Sequence, residues 1–193
     1  MTTILILQGH PDPAGGHLCH ALADSYAAGA AAAGHRVLRV EVGALPFEML
    51  RSQEDFLSAP LPAALAEARR ALEEAGHLAI FFPLWLGGMP ALLKGFLEQL
   101  MRPGFAFDYL PGGRTRARLK GRSARVVVTM GMPAAVFRLW FLSAGLSALT
   151  RNVLGCTGMA PVRSTVIGAV EQAGQARRTA WLARMEALGR AAA

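Results

Sequence analysis

The chain has 193 residues, 53% of them hydrophobic and 17% charged, with a formal charge of +7. That length can bury a full core, and the composition excludes a disordered chain. The longest uncharged apolar stretch, 16 residues from Leu78 to Leu93 broken by two prolines and two glycines, falls short of a membrane-spanning helix, which needs about 20 residues.

The first element is Thr3–Gln8 (TILILQ), a continuous run of β-branched residues and leucine that predicts a buried strand. No basic leader or small-residue cleavage site precedes it, which predicts no secretory signal and a cytoplasmic protein. The turn Gly9-His10-Pro11-Asp12-Pro13-Ala14-Gly15-Gly16-His17 follows, then an alanine-rich helix over Leu18–Ala33 closed by Gly34. Arg36–Val42 reads as a strand, Pro62–Ala75 as a helix and Leu78–Phe82 as a strand. The loop Pro83-Leu84-Trp85-Leu86-Gly87-Gly88 then leads into a helix over Ala91–Met101. Ala124–Thr129 (ARVVVT) is the fourth strand, Ala134–Leu149 a mostly apolar helix, Val162–Ile167 the fifth strand and Gln172–Leu188 the last helix.

Five βα units with apolar strands predict a parallel sheet covered on both faces. No internal repeat or linker divides residues 1–193, so one domain is expected. The two cysteines, Cys19 and Cys156, lack CxxC or Cys/His ligand spacing, which predicts reduced structural thiols and no metal site. Arg114, Arg116, Arg118, Lys120, Arg122 and Arg125 form the only dense basic run. It reads as a solvated surface connection or as a face attracting an anionic partner such as the phosphates of NAD(P)H. Basic residues elsewhere are dispersed, which argues against nucleic acid.

The first strand-to-helix turn is neither GxGxxG nor GxxxxGK[ST], which weakens the Rossmann and P-loop alternatives. A five-stranded sheet with a phosphate loop after its first strand fits a flavodoxin-like three-layer α/β sandwich of strand order 2-1-3-4-5. Its switch point lies between strands one and three. The opening loop and the Trp85 loop then face each other across one crevice. Ala14-Gly15-Gly16-His17 can present backbone N–H groups to a phosphate at a helix N-terminus, the alternative being a plain tight turn. The apolar Trp85 loop suits a flat aromatic ligand, or else it is a buried turn filled by Trp85.

The segment FPLWLGGMPALLKGFLEQLMRPGFAF resembles the corresponding segment of the NAD(P)H:quinone oxidoreductase family, flavodoxin-like flavoproteins that include ancillary subunits of potassium efflux systems. The resemblance extends to His10 and to Thr129-Met130-Gly131. It implies a cofactor site in which His10, Gly15, Gly16, His17 and Leu18 meet the phosphate. In that site Pro83, Leu84, Trp85, Leu86 and Gly87 line the flavin, with backbone amides at its polar edge, and Thr129, Met130 and Gly131 border the ring. A histidine capping its own loop is the alternative for His10. Met130 and Met132 stand where the family has a hydroxyl and a glycine, which predicts a less polar ring edge or simple packing.

The resemblance is weakest at the catalytic pair. The family's tyrosine and histidine fall on Phe137 and Ser143, and neither can carry charge and proton in the same way. Tyr109, His17 or water could substitute, so no acid or base is assigned. Three readings stay open. The first is a flavin-dependent oxidoreductase that passes two electrons from NAD(P)H to a quinone or similar small-molecule acceptor by a ping-pong route. The second is a regulatory subunit docked on a membrane transporter, and the third a flavodoxin-type electron carrier, which the basic charge disfavours. FMN is the expected cofactor, with FAD the alternative. The apolar helix over Ala134–Leu149 is hydrophobic around most of its circumference, so it is deep core or a subunit interface, and the family implies a homodimer.

Overall fold

Five strands pair side by side in one parallel sheet in the computed structural model, which describes residues 1–193. They are β1 (Thr3–Gln8), β2 (Arg36–Glu41), β3 (His77–Pro83), β6 (Ser123–Thr129) and β7 (Val162–Ile167), in the order β2-β1-β3-β6-β7. Between β3 and β6 the chain makes a small antiparallel hairpin, β4 (Phe107–Tyr109) and β5 (Thr115–Ala117). With the hairpin set aside, this is the 2-1-3-4-5 order expected from the sequence, and the switch point falls between β1 and β3.

Alternation along the strands divides the core into two layers. Leu5, Leu7, Ile80, Phe82 and Val126 face one side, where α3 (Ala66–Glu74) and α4 (Ala91–Leu100) supply Leu72, Leu93 and Phe96. Ile4, Ile6, Phe81 and Val127 face the other, covered by Leu22 and Tyr26 of α1 (Leu18–Ala32) and Met185 of α7 (Gln175–Arg190). Helices α1 and α7 pack backbone to backbone: a Cβ on Gly29 would overlap the Glu186 carbonyl, and one on Gly189 would overlap that of Tyr26.

Where the structure departs from the sequence expectation, the causes are local. The single helix expected over Ala134–Leu149 is three pieces: α5 (Ala134–Leu139), α6 (Ala144–Ser147) and a π-helix over Ala148–Gly155. The break falls at Leu142 and Ser143, both with left-handed φ, near +50°. The first piece reaches the core only through Phe137: Leu139 at its end and Trp140 just after it are 80% and 81% exposed.

A short helix, α2 (Gln53–Ser58), has no apolar periodicity to announce it and rests on a capping box in which Ser52 and Asp55 bond each other's backbone N–H. The basic run is not uniformly a solvated face. Arg116 and Arg118 clasp Asp108 across the hairpin, Arg122 donates to the carbonyls of Glu73 and Ala75, and Arg125 is buried and donates to Thr165 Oγ1 at 2.9 Å. No helix is long and apolar enough to cross a membrane.

Candidate functional site

The carboxyl ends of β1, β3 and β6 bring three loops together. The opening loop is organised from beneath by Gln8, the last residue of β1 and a buried polar side chain. Its Oε1 accepts from the His10 N–H at 3.0 Å and from Cys19 Sγ at 3.3 Å, and its Nε2 donates to the Cys19 carbonyl at 3.2 Å. Gln8 therefore ties the loop to the first turn of α1. Sequence reasoning passed over it, although a glutamine closing an otherwise apolar buried strand was the signal. Burial pushes the Cys19 thiol pKa up, consistent with an inert structural thiol, and Cys156 is free and exposed.

Within the loop, His10 Nδ1 accepts from the Asp12 N–H at 3.1 Å, so the loop-capping alternative holds for that nitrogen. His17 Nε2 pairs with Asp12 Oδ2 at 3.0 Å, and this pairing and the Ala14 N–H hold the Asp12 carboxyl below its ordinary range. The His10 and His17 rings stack with centroids 4.0 Å apart. His20 completes the group at 5.1 Å from His10 and 5.6 Å from His17. Burial first, then the two neighbouring imidazoles, lowers the His10 pKa. His20 was also missed from the sequence, although it stands three residues after His17, the residue that precedes α1.

A phosphate suits this end of the crevice. The N–H groups of Gly15, Gly16 and His17 donate to nothing in the protein, and both glycines have left-handed φ with open space where a Cβ would stand. Helix α1 opens with no acidic residue in its first turn and no side-chain cap, so its positive end is uncompensated. Both ring nitrogens of His20 are buried and without a partner, a state that costs roughly 1–3 kcal/mol when it stays unsatisfied.

The second loop is a tight hairpin. Trp85 and Gly88 exchange N–H···O bonds of 2.9 Å around Leu86 and Gly87, both with positive φ. Trp85 is 51% exposed, so it does not fill a buried turn; its ring stands edge-on to His10 with centroids 6.4 Å apart. The amides of this loop divide into those with partners in the protein and those without. Those of Leu84 and Trp85 are engaged, with the Thr129 and Gly88 carbonyls respectively. Those of Leu86 and Gly87 have no partner in the protein.

The third loop begins at Thr129, whose carbonyl accepts from Leu84 at 2.7 Å and so joins the second and third loops. Thr129 and Met130 are buried, whereas Gly131 is exposed beside the Glu171 carboxylate. The structure removes Phe137 from the chemistry, because it is fully buried in the core, and Ser143 sits in the strained break between α5 and α6. Tyr109 lies on the β4 strand, packed edge-to-face on Phe107. Leu18 is half-buried at the start of α1 and packs toward the α1–α7 side of the core.

The comparisons with known proteins bear on the fold that carries these loops. A family model described as flavodoxin-like fold matches residues 2–188. Over 88 residues the chain is 32% identical to the mouse ribosyldihydronicotinamide dehydrogenase [quinone], a match covering 46% of this chain and 38% of that enzyme. Over 69 residues it is 32% identical to an FMN-dependent NADH:quinone oxidoreductase of Ruegeria pomeroyi, covering 36% and 34% of the two chains. The chain thus spans little more than a third of the length of these curated relatives. The crystal structure of Smu.1420 from Streptococcus mutans superposes with a TM-score of 0.81 at 25% identity, covering 98% of this chain and 99% of that one.

Proposed function

The chain belongs to the flavodoxin-like fold family, and on that premise we propose that residues 1–193 form one FMN-binding domain that carries two electrons from NAD(P)H to a quinone or similar electrophilic acceptor. The observation that carries the proposal is the convergence of a phosphate-competent loop and an exposed tryptophan loop on one crevice at the β1/β3 switch point. Similarity to an FMN-dependent NADH:quinone oxidoreductase and to a ribosyldihydronicotinamide dehydrogenase [quinone] favours FMN over FAD and a quinone over other acceptors.

In this reading Gly15, Gly16 and His17 hold the phosphate through backbone N–H groups, with His10 beside them. Trp85 and Leu84 wall the slot for the ring, and the free amides of Leu86 and Gly87 serve its polar edge. Bound flavin would supply hydride acceptance and donation, and the protein would position donor and acceptor in turn, which would make the reaction ping-pong. With Phe137 buried and Ser143 in a strained turn, no side chain here is assigned to move a proton. Steady-state rates with FMN-loaded protein, NADH or NADPH and a benzoquinone test the reading: parallel double-reciprocal lines are expected, and no acceptor-dependent oxidation of either nucleotide would overturn it.

The proposal extends to a homodimer. Val136, Leu139, Trp140, Phe141 and Leu142 form an exposed apolar face. It adjoins the crevice, because Gly145 packs on the backbone of Gly87 and Gly88. A second copy covering this face would close the mouth of the slot, which explains why such costly exposure is retained.

A further inference from the structure

We infer that Glu171 sets the reduction potential of the bound flavin: its uncompensated carboxylate lowers the potential and so favours delivery of the electron pair to the acceptor. The inference rests on the flavin-binding reading above. It adds a residue of a fourth loop, the one that follows β7.

Backbone bonds lock this fourth loop onto the third. The Met130 N–H donates to the Ile167 carbonyl at 2.9 Å, the Ala169 N–H to the Met132 carbonyl at 3.0 Å and the Val170 N–H to the Met130 carbonyl at 3.2 Å. A Cβ on Gly168 would stand 2.4 Å from the Ala134 nitrogen and 2.7 Å from the Met132 carbonyl oxygen, so only glycine lets the two loops meet this closely. Ala169 holds a left-handed φ of +54°, which a residue with a Cβ adopts rarely. The Glu171 carboxylate then lies beside Gly131, with Oε1 3.3 Å and Oε2 3.9 Å from where a Cβ on that glycine would stand. Thr129, two residues earlier, accepts from the Leu84 N–H at 2.7 Å, so the loop that carries Trp85 is tied to the same frame as the charge.

The charge is left uncompensated. No ion pair engages Glu171, although the chain has 20 lysines and arginines to neutralise 13 carboxylates. Arg178 of α7 braces the same loop but spends its guanidinium on the Val170 and Ala173 carbonyls, at 2.9 and 3.0 Å. Asp12, in the opening loop of the crevice, differs in being paired with His17 at 3.0 Å. The N–H groups of Gly131 and Met132 donate to nothing in the protein, so the third loop offers donors to hold a ring while Glu171 opposes added negative charge on it. A carboxylate here costs the electron-rich reduced flavin more than the oxidised one. NAD(P)H supplies the two electrons as hydride and the quinone receives them, its second proton coming from solvent; Glu171 itself gains and loses nothing.

Anaerobic redox titration of the FMN-loaded chain against a reference dye, for wild type, Glu171→Gln and Glu171→Lys, tests the assignment. The equilibrium constant for reduction should rise about two- to tenfold from Glu to Gln and again from Gln to Lys, a tenfold step being a rise of about 30 mV for a two-electron couple. Both steps should shrink in about 1 M salt, where the screening length falls to about 3 Å, whereas a change caused by lost packing would persist. Glu171 is exposed, so both variants should keep the wild-type unfolding midpoint. Equal potentials in the three FMN-bound proteins, or shifts that do not follow the sign of the charge, would overturn the role of Glu171 alone. Failure of the wild-type chain to bind FMN would overturn the flavoprotein reading with it.

Discussion

Trp85 and His77 illustrate how single side chains at opposite ends of the sheet serve different ends. Trp85 is half-exposed at the crevice, with its backbone locked in the hairpin to Gly88, so its truncation removes a wall without disturbing the turn. Aromatic stacking is worth about 0.5–1.5 kcal/mol beyond area burial, so Trp85→Ala should weaken FMN binding up to about tenfold, measured by quenching of flavin fluorescence, with an unchanged unfolding midpoint. His77 is buried at the start of β3, against the Tyr26 hydroxyl at 3.0 Å and Ser123 Oγ at 2.7 Å. Burial, and then the Arg125 and Arg163 charges, press its pKa down to about 4. The unfolded chain binds this proton near pH 6.5, so between pH 6.5 and 4 it holds more proton than the native state. Stability is present above that window and falls through it, by up to about 3 kcal/mol. Urea midpoints at pH 7 and pH 5 should show the loss, and His77→Gln should remove most of the pH difference.

Elements reveal where sequence periodicity informs and where it does not. The five strands and the helices α1 and α4 are legible as apolar or periodic runs, and β7 has its expected bounds, whereas α7 shows no apolar periodicity and is legible from its length and helix-forming composition. The hairpin of β4 and β5 was not, because its short strands are held by Asp108 pairing with Arg116 and Arg118 and carry no apolar alternation. The segment from Ala134 was legible in its apolarity but not in its shape. Continuous hydrophobicity cannot foretell the left-handed break at Leu142 and Ser143, and here it marks an exposed face and not an interior.

Of the candidate site, the two loops and their glycines could be read from the sequence. Gln8 and His20 leave only weak signals, a polar end to an apolar strand and a spacing of three from His17, because their roles depend on a turn that folds back over the end of β1. Two element-scale predictions follow from the packing. Trp140→Glu should convert a dimer to a species of 20.5 kDa in sedimentation velocity with the fold retained; a wild-type monomer would contradict the dimer and leave the face to another partner, such as a transporter. Gly189→Leu forces α7 off the Tyr26 carbonyl; overpacking of this kind costs about 1–3 kcal/mol, seen as a lower urea midpoint.

At the scale of the molecule, a parallel sheet covered on both faces leaves its carboxyl edge as the place where loops can converge without disturbing either core layer. The chain uses that edge for unpaired amides, imidazoles and an exposed aromatic ring, and two of its buried ionisable groups, His77 and Arg125, lie toward the opposite end. The most direct measurement is the absorption spectrum of the purified protein from about 300 to 600 nm after loading with FMN, repeated with NADH or NADPH in the absence of oxygen. Protein-bound flavin bands that bleach on addition of the nicotinamide are expected. A protein that fails to retain FMN or FAD, or whose bound flavin neither nucleotide bleaches, would contradict the proposed function.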